Sequence, residues 1–160
     1  MTGSRVAGGP APVWSSWPFL LAGSACIVAG GLVSAATAPQ ASEHSAWAAA
    51  YLVLVAGVVQ IALGAGQALL APRGVSRPLL VAELVTWNVG NAAVLAGTLL
   101  QVAAVVDLGG ALLVCCLGLV VLAVRRPGKA GWPAWVFRAL VVVVLVSIPI
   151  GLVLGATSGG

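Results

Sequence analysis

The segment Glu83–Asn91, ELVTWNVGN, places a carboxylate, an indole and two side-chain amides inside a run of apolar residues. An ionisable group is costly to bury in a membrane, so it marks a candidate site for a proton, an ion or a polar solute. Glu83 is therefore the centre of the predicted site. The predicted intramembrane polar residues are Gln60, Gln67, Glu83, Trp87, Asn88, Asn91 and Gln101.

Helical periodicity places most of these residues on two faces. On a helix with about 100° per residue, the polar and small residues of the third apolar segment occupy an arc of about 140°. They are Glu83, Thr86, Trp87, Gly90, Asn91, Gly97, Thr98 and Gln101. Asn88 points away from this arc, so it requires a partner on another helix. The second segment has a narrower arc of about 80°, and its members are Gly57, Gln60, Gly64 and Gln67.

A short loop joins these two segments, which makes them antiparallel and turns the two arcs towards each other. Gln67 and Glu83 then lie at a similar depth near the cytoplasmic side, while Gln60 lies near Asn88 and Asn91 at mid-membrane. We predict that the second and third segments form the tightest helix pair.

Two interpretations of the facing arcs remain open. Glycines let helices approach closely, and amides bonded across a helix pair contribute about 0.6–2 kcal/mol, so the arcs can serve packing alone. Alternatively, they line a pocket or a solvated path centred on Glu83. Glu83 follows Pro78 by little more than one helical turn, so the packing interpretation has it reach the membrane surface or pair with Arg77 or Arg73.

Other chemistries lack the residues that they need. The single histidine, His44, cannot supply the two axial ligands of a haem or a histidine cluster for copper or zinc. A nucleophile with a neighbouring base, a Walker loop and a dinucleotide fingerprint are missing from the sequence. The cysteines, Cys26, Cys115 and Cys116, lie in apolar runs and are interpreted as small apolar side chains. We expect no enzyme activity, no metal and no cofactor.

The whole composition indicates a membrane protein. Of the 160 residues, 61% are hydrophobic and 6% are charged, whereas soluble proteins carry about 25% charged residues. Helices of about 20 apolar residues span a bilayer. The sequence predicts an all-α integral membrane protein in which five transmembrane helices form a small bundle, at about 14–38, 47–71, 78–101, 106–124 and 134–156. Residues 1–13 are predicted to be a disordered cytoplasmic tail and residues 157–160 an external tail.

The division of the run 78–124 follows from its length. As one helix it would extend about 70 Å, twice what a bilayer accommodates. It must therefore fold back as a hairpin. Gln101, Asp107 and the pair Gly109 and Gly110 mark the predicted bend, because a carboxylate is solvated at the membrane surface.

The charges predict the orientation. With five spans, all seven basic residues fall on one side, so the N-terminus is placed in the cytoplasm and the C-terminus outside. The bases are few and lie in short loops and at ends, which argues against a nucleic-acid partner. The first segment could be a signal peptide, but its long apolar stretch and Pro39 favour a retained helix.

Small residues predict the contact surfaces of the helices. The first helix has a ridge formed by Ala22, Cys26, Gly30 and Ser34, and the fifth has one formed by Ser147, Gly151 and Gly155. Together with Gly57, Gly64, Gly90 and Gly97, these ridges indicate close helix packing. They do not identify the partner.

Three functions are compatible with this pattern. The first is a small non-catalytic membrane protein, an accessory or scaffolding subunit of a larger assembly or a homo-oligomer, whose partners are lipid and other membrane subunits or itself. The second is a small proton-coupled transporter in which Glu83 titrates and Gln60, Gln67 and Asn91 line the path. The third, an enzyme acting on a lipid or quinone, rests on Trp87 alone. Frequent Ala, Gly, Val, Leu and Arg suggest a GC-rich bacterial genome and hence a cytoplasmic membrane.

Overall fold

The computed structural model describes residues 16–70 and 75–124, together with residues 139, 141 and 142. Several sequence predictions lie outside these residues. They are the tail 1–13, the basic positions Arg5, Arg73, Arg125, Arg126, Lys129 and Arg138, the external tail, the glycines Gly151 and Gly155, and the fifth span 134–156 except for its three described residues.

Four long helices make up the described chain, and no strand occurs in it. Helix α1 covers Trp17–Thr37, and a 3₁₀ turn at Ala38–Gln40 follows it. The continuous helix α2 covers Glu43–Leu70, α3 covers Arg77–Leu99 and α4 covers Ala103–Val124. All four are long and apolar enough to cross a membrane. The all-helical fold class is thereby confirmed for the described residues.

Local sequence signals explain where these helices begin. Pro18 and Pro78 lie in the first turns of α1 and α3, where proline's fixed φ suits a helix and its missing N–H leaves no bond unmade. Ser42 caps α2, because its hydroxyl accepts from the Ser45 amide while the Ser45 hydroxyl bonds back to the Ser42 amide. This reciprocal pair satisfies two amides that the first turn leaves free.

The hairpin between α3 and α4 turns at residues 100–102. Gln101 adopts a left-handed conformation, with φ 57°. The amides of Gln101 and Val102 bond to the carbonyls of Thr98 and Gly97, which is the Schellman pattern of a helix end. The prediction that Asp107, Gly109 and Gly110 mark the bend is wrong, because α4 begins at Ala103 and contains all three. The predicted bend at Gln101 is confirmed, because Gln101 lies in this turn, where it is exposed and donates to the Thr98 carbonyl.

Glycine contacts hold α1 against α2. A Cβ added at Gly23 would lie 2.8 Å from the carbonyl oxygen of Gly57, and one added at Gly30 would lie 2.9 Å from that of Ala49. Gly64 meets the side chain of Phe19, 2.5 Å from an added Cβ. Such distances require glycine, so the α1–α2 hairpin depends on backbone approach.

Glycine contacts also hold α3 against α4. A Cβ added at Gly109 would lie 2.7 Å from the Val94 amide nitrogen and 2.8 Å from the Gly90 carbonyl oxygen. At Gly97 it would lie 2.7 Å from the Val106 amide nitrogen. The α1–α2 and α3–α4 hairpins are the two most extensive helix pairs in the described chain.

The prediction that the second and third helices form the tightest pair is wrong. Gly64 and Gly90 were expected to face each other, but Gly64 packs on Phe19 of α1 and Gly90 packs on Leu113 of α4. The predicted ridge of α1 is confirmed at Gly30, which packs against α2, whereas Ser34 is exposed. The other α1 residues at this contact are Phe19, Gly23 and Ile27.

The helix geometry gives the reason for this difference. In α2 the glycines lie about 60° from the glutamines, and in α3 they lie about 70° from the mean direction of Glu83, Trp87 and Asn91. One arc therefore serves two neighbours. The glycine edge of α2 faces α1, and its glutamine edge faces α3. The glycine edge of α3 faces α4, and its other edge, with Trp87 and Asn91, faces α2.

A π-helical segment, Leu52–Val59, interrupts α2 before Gln60. Such segments change the direction in which the following side chains point, and they occur often at functional sites. Gly57 lies within it, and an added Cβ there would be 3.0 Å from the Gly23 carbonyl oxygen. The segment thus includes one of the glycine contacts between α1 and α2 and directly precedes Gln60.

Candidate functional site

Near the end of α2 and the start of α3, a hydrogen bond joins the two hairpins. Gln67 Nε2 donates to Glu83 Oε2 at 2.6 Å, as the antiparallel arrangement of α2 and α3 predicts. Both residues are buried, and Glu83 is fully so. Arg77 is exposed at the start of α3, and the one described partner of the Glu83 carboxyl group is Gln67, an amide. Glu83 is therefore an interior residue of the bundle.

At the opposite end of the site, a second hydrogen bond joins the hairpins. The Tyr51 hydroxyl donates to Asn91 Oδ1 at 2.9 Å, and Asn91 Nδ2 donates to the Trp87 carbonyl at 2.8 Å. Tyr51 also stacks on Trp47, with ring centroids 5.1 Å apart. The sequence analysis missed Tyr51. The only available signal was that the single tyrosine of the chain lies in an apolar segment.

Gln60 and Trp87 occupy the middle of the site. Along their helices, Gln60 lies between Tyr51 and Gln67, and Trp87 lies between Glu83 and Asn91. Both side chains are fully buried. Neither the Gln60 amide nor the Trp87 indole N–H has a hydrogen-bond partner in the described chain, and Glu83 Oε1 also lacks one. Buried polar atoms without partners are rare in proteins, so this group requires an explanation.

We call this set of six residues the polar seam. Its members are Tyr51, Gln60 and Gln67 of α2 and Glu83, Trp87 and Asn91 of α3.

Helix α4 closes the seam on one side with apolar atoms. Cys116 is fully buried, and its thiol donates to the Glu83 carbonyl at 3.2 Å. Trp87 packs in the same core cluster as Leu63 of α2 and Cys116, and residues of α4 and Val141 complete that cluster. Because Leu63 lies about one turn from both Gln60 and Gln67, this contact places the glutamine edge of α2 beside Trp87 and Glu83.

Two predicted members lie apart from the seam. Asn88 is half-buried, and its Nδ2 donates to the Leu84 carbonyl of its own helix at 2.8 Å. The expected partner on another helix is therefore not found among the described residues. Gln101 lies in the α3–α4 turn.

The seam offers amide, phenol, indole and carboxyl groups and no basic side chain. It can donate and accept hydrogen bonds and exchange a proton at Glu83. Within residues 16–70 and 75–124, no group of three or more His, Cys, Asp or Glu residues is positioned to hold a metal ion. Comparison of the chain with protein-family profiles, curated protein sequences and solved structures finds no match.

Proposed function

We propose that the chain is a five-span protein of a bacterial cytoplasmic membrane, with its N-terminus inside and its C-terminus outside. Helices α1–α4 supply four spans, and the apolar segment 134–156 supplies the fifth. The support for this orientation is that five spans place all seven basic residues on one side.

Reporter fusions test this topology. A reporter placed after Gly128 should lie in the cytoplasm, and one placed at Gly160 should lie outside. Two reporters on the same side would contradict the five-span arrangement.

We further propose that the protein is a small proton-coupled transporter, with Glu83 as the proton-exchanging group and the polar seam as the path. The observation that carries this proposal is the burial of Glu83 against Gln67, with one carboxyl oxygen that has no partner among the described residues. A carboxyl group held only for packing would gain from an arginine partner or from the membrane surface. Among the described residues no arginine pairs with Glu83, and its side chain is fully buried. Ionisable groups inside membranes typically serve transport.

The arrangement of the hairpins supplies a means of access. Each hairpin is held internally by glycine contacts, whereas the two are joined through the seam by two hydrogen bonds, Gln67–Glu83 and Tyr51–Asn91. Rocking of one rigid unit against another around a polar site is a common transport mechanism. Movement of the hairpins would open the seam while leaving the glycine contacts intact. Transport of this kind requires no covalent catalysis by the chain.

The substitution Glu83→Gln tests the transporter. Glutamine keeps the shape of the side chain and can still bond to Gln67, but it cannot exchange a proton at neutral pH. Purified wild-type protein in liposomes should move protons when a solute gradient is applied, and the variant should lose this flux while it still folds. The matched control is Glu43→Gln, because Glu43 is exposed at the start of α2. Equal flux in the wild type and the Glu83 variant would refute the role of Glu83.

A second candidate function is that of an accessory subunit or a homo-oligomer. It is favoured by an exposed face of α3. Asn88 lies on that face with the exposed residues Val81, Val85 and Ala92 at spacings of four, three and four. An amide on such a face stabilises helix association by about 0.6–2 kcal/mol. Asn88→Leu should therefore shift the detergent-solubilised protein towards the monomer, as measured by light scattering. A wild type that is monomeric and copurifies with no other subunit would exclude this candidate.

A further inference from the structure

Four buried polar atoms of the seam lack partners among the described residues. Two are hydrogen-bond donors, Gln60 Nε2 and the Trp87 indole Nε1. Two are oxygen acceptors, Gln60 Oε1 and Glu83 Oε1. Leaving such groups unpaired in an apolar interior costs on the order of several kcal/mol. A sequence with so many apolar residues could fill these positions with leucine, so the retained polar atoms point to a ligand.

The surrounding contacts bring these atoms to one region. Glu83 and Trp87 lie one turn apart on α3 and are both fully buried. Gln67 bonds to Glu83, and Leu63 packs in the cluster that contains Trp87. Gln60 continues the same edge of α2 towards the outer side, so it lies next to the Trp87 level of α3.

We propose that Gln60, Trp87 and Glu83 form a binding site for one small neutral molecule with two hydrogen-bond donors and two acceptor positions. Water and small amides such as urea share this chemistry. The ligand would accept from the Trp87 indole and the Gln60 amide nitrogen, and it would donate to the oxygens of Gln60 and Glu83. This inference rests on the proposed transport function, for which it names the class of solute.

The charge of the seam argues for a neutral ligand. The two N–H donors oppose a cation, and the carboxyl group of Glu83 opposes an anion. The seam has no basic residue to balance an anion. Neutral molecules that donate and accept equally satisfy all four atoms, whereas purely apolar ones satisfy none.

The Trp87 indole N–H provides a direct measurement of binding. In ¹⁵N-tryptophan-labelled protein in micelles, the six indole resonances are resolved by NMR, and loss of one in Trp87→Phe assigns Trp87. If water is the ligand, the Trp87 indole proton shows a cross-peak to bound water. If an amide is the ligand, titration with urea or acetamide shifts the Trp87 resonance. Absence of both effects in the wild type would overturn the proposal.

The substitution Gln60→Leu removes part of the proposed binding site. It should abolish the water cross-peak, or weaken amide binding by at least about tenfold, because it removes two of the four groups. Gln40→Leu is the control, since Gln40 is exposed after α1, and it should leave both effects unchanged. If the leucine variant does not fold, Gln60→Met is used in its place. If neither variant folds, the wild-type spectra alone decide whether the site binds a ligand. An unchanged Trp87 signal in a folded Gln60 variant would also overturn the proposal.

Failure of this site and failure of transport give different results. Binding is read from the Trp87 resonance and transport from proton flux, so the wild-type protein reports on the two separately. Binding without flux in the wild type would refute the transporter and leave the site. Flux without any effect at Trp87 would refute the site and leave the transporter.

Discussion

Adding one methyl group at Gly109 tests whether backbone approach holds the α3–α4 hairpin together. In Gly109→Ala, the new Cβ would lie 2.7 Å from the Val94 nitrogen and 2.8 Å from the Gly90 oxygen. Ordinary contact begins at 3.4 Å, so α3 must retreat by about 0.7 Å. Both atoms belong to the backbone, so no side chain can rotate away to relieve the contact.

The expected change in the free energy of unfolding follows from two opposing effects. Overpacking of this kind costs about 1–3 kcal/mol, while replacing glycine with alanine in a helix gains up to about 1 kcal/mol. Gly118 lies on the same helix and has no described atom within 4 Å of an added Cβ. Because the helix gain is common to both sites, Gly109→Ala should be less stable than Gly118→Ala by about 1–3 kcal/mol.

Reversible unfolding in mixed detergent micelles, followed by circular dichroism, measures this difference. Gly118→Ala should match or exceed the wild type in its free energy of unfolding, and Gly109→Ala should fall below it. If the two alanine variants are equally stable, the close approach of α3 and α4 at Gly109 does not contribute to stability, and the account of the hairpin is refuted.

Two further predictions concern the Tyr51–Asn91 hydrogen bond and the backbone conformation of Gln101. Tyr51→Phe removes the hydroxyl that donates to Asn91 and should lower the free energy of unfolding by about 0.6–2 kcal/mol in the same micelle assay; an unchanged stability would show that this bond does not join the hairpins in solution. At Gln101, whose φ is 57°, Gln101→Gly should be neutral or stabilising because glycine adopts this conformation without strain, whereas Gln101→Val should be destabilised by at least about 1 kcal/mol. Equal thermal midpoints for the two Gln101 variants would contradict the left-handed turn.

The sequence contains enough information to predict the helices and one contact of the seam. Apolar runs and their lengths indicate the helices, and the length of the run 78–124 requires a hairpin. The short connection between α2 and α3 makes them antiparallel, which brings Gln67 to Glu83. These inferences need only the period of a helix and the thickness of a bilayer.

Other features depend on information that a single helix does not carry. An arc of glycines and glutamines looks like one face, and only the positions of α1 and α4 reveal that it divides between two neighbours. Tyr51 bonds to Asn91 of another helix, and no property of the residue types predicts this pairing. Helical periodicity places Gln101 in the polar arc of the third segment, but the helix ends at Leu99, before Gln101.

The two glycine-packed hairpins also have a consequence for biogenesis. Each is formed by helices that are consecutive in the chain, so its contacts can be made as soon as the second helix of the pair enters the bilayer. Local contacts of this kind form early, whereas contacts between distant segments form later. The α1–α2 hairpin precedes Glu83 in the chain, so it can form first and present Gln67 to the incoming carboxyl group. The order of synthesis can therefore supply a polar partner when the costliest residue of α3 enters the lipid.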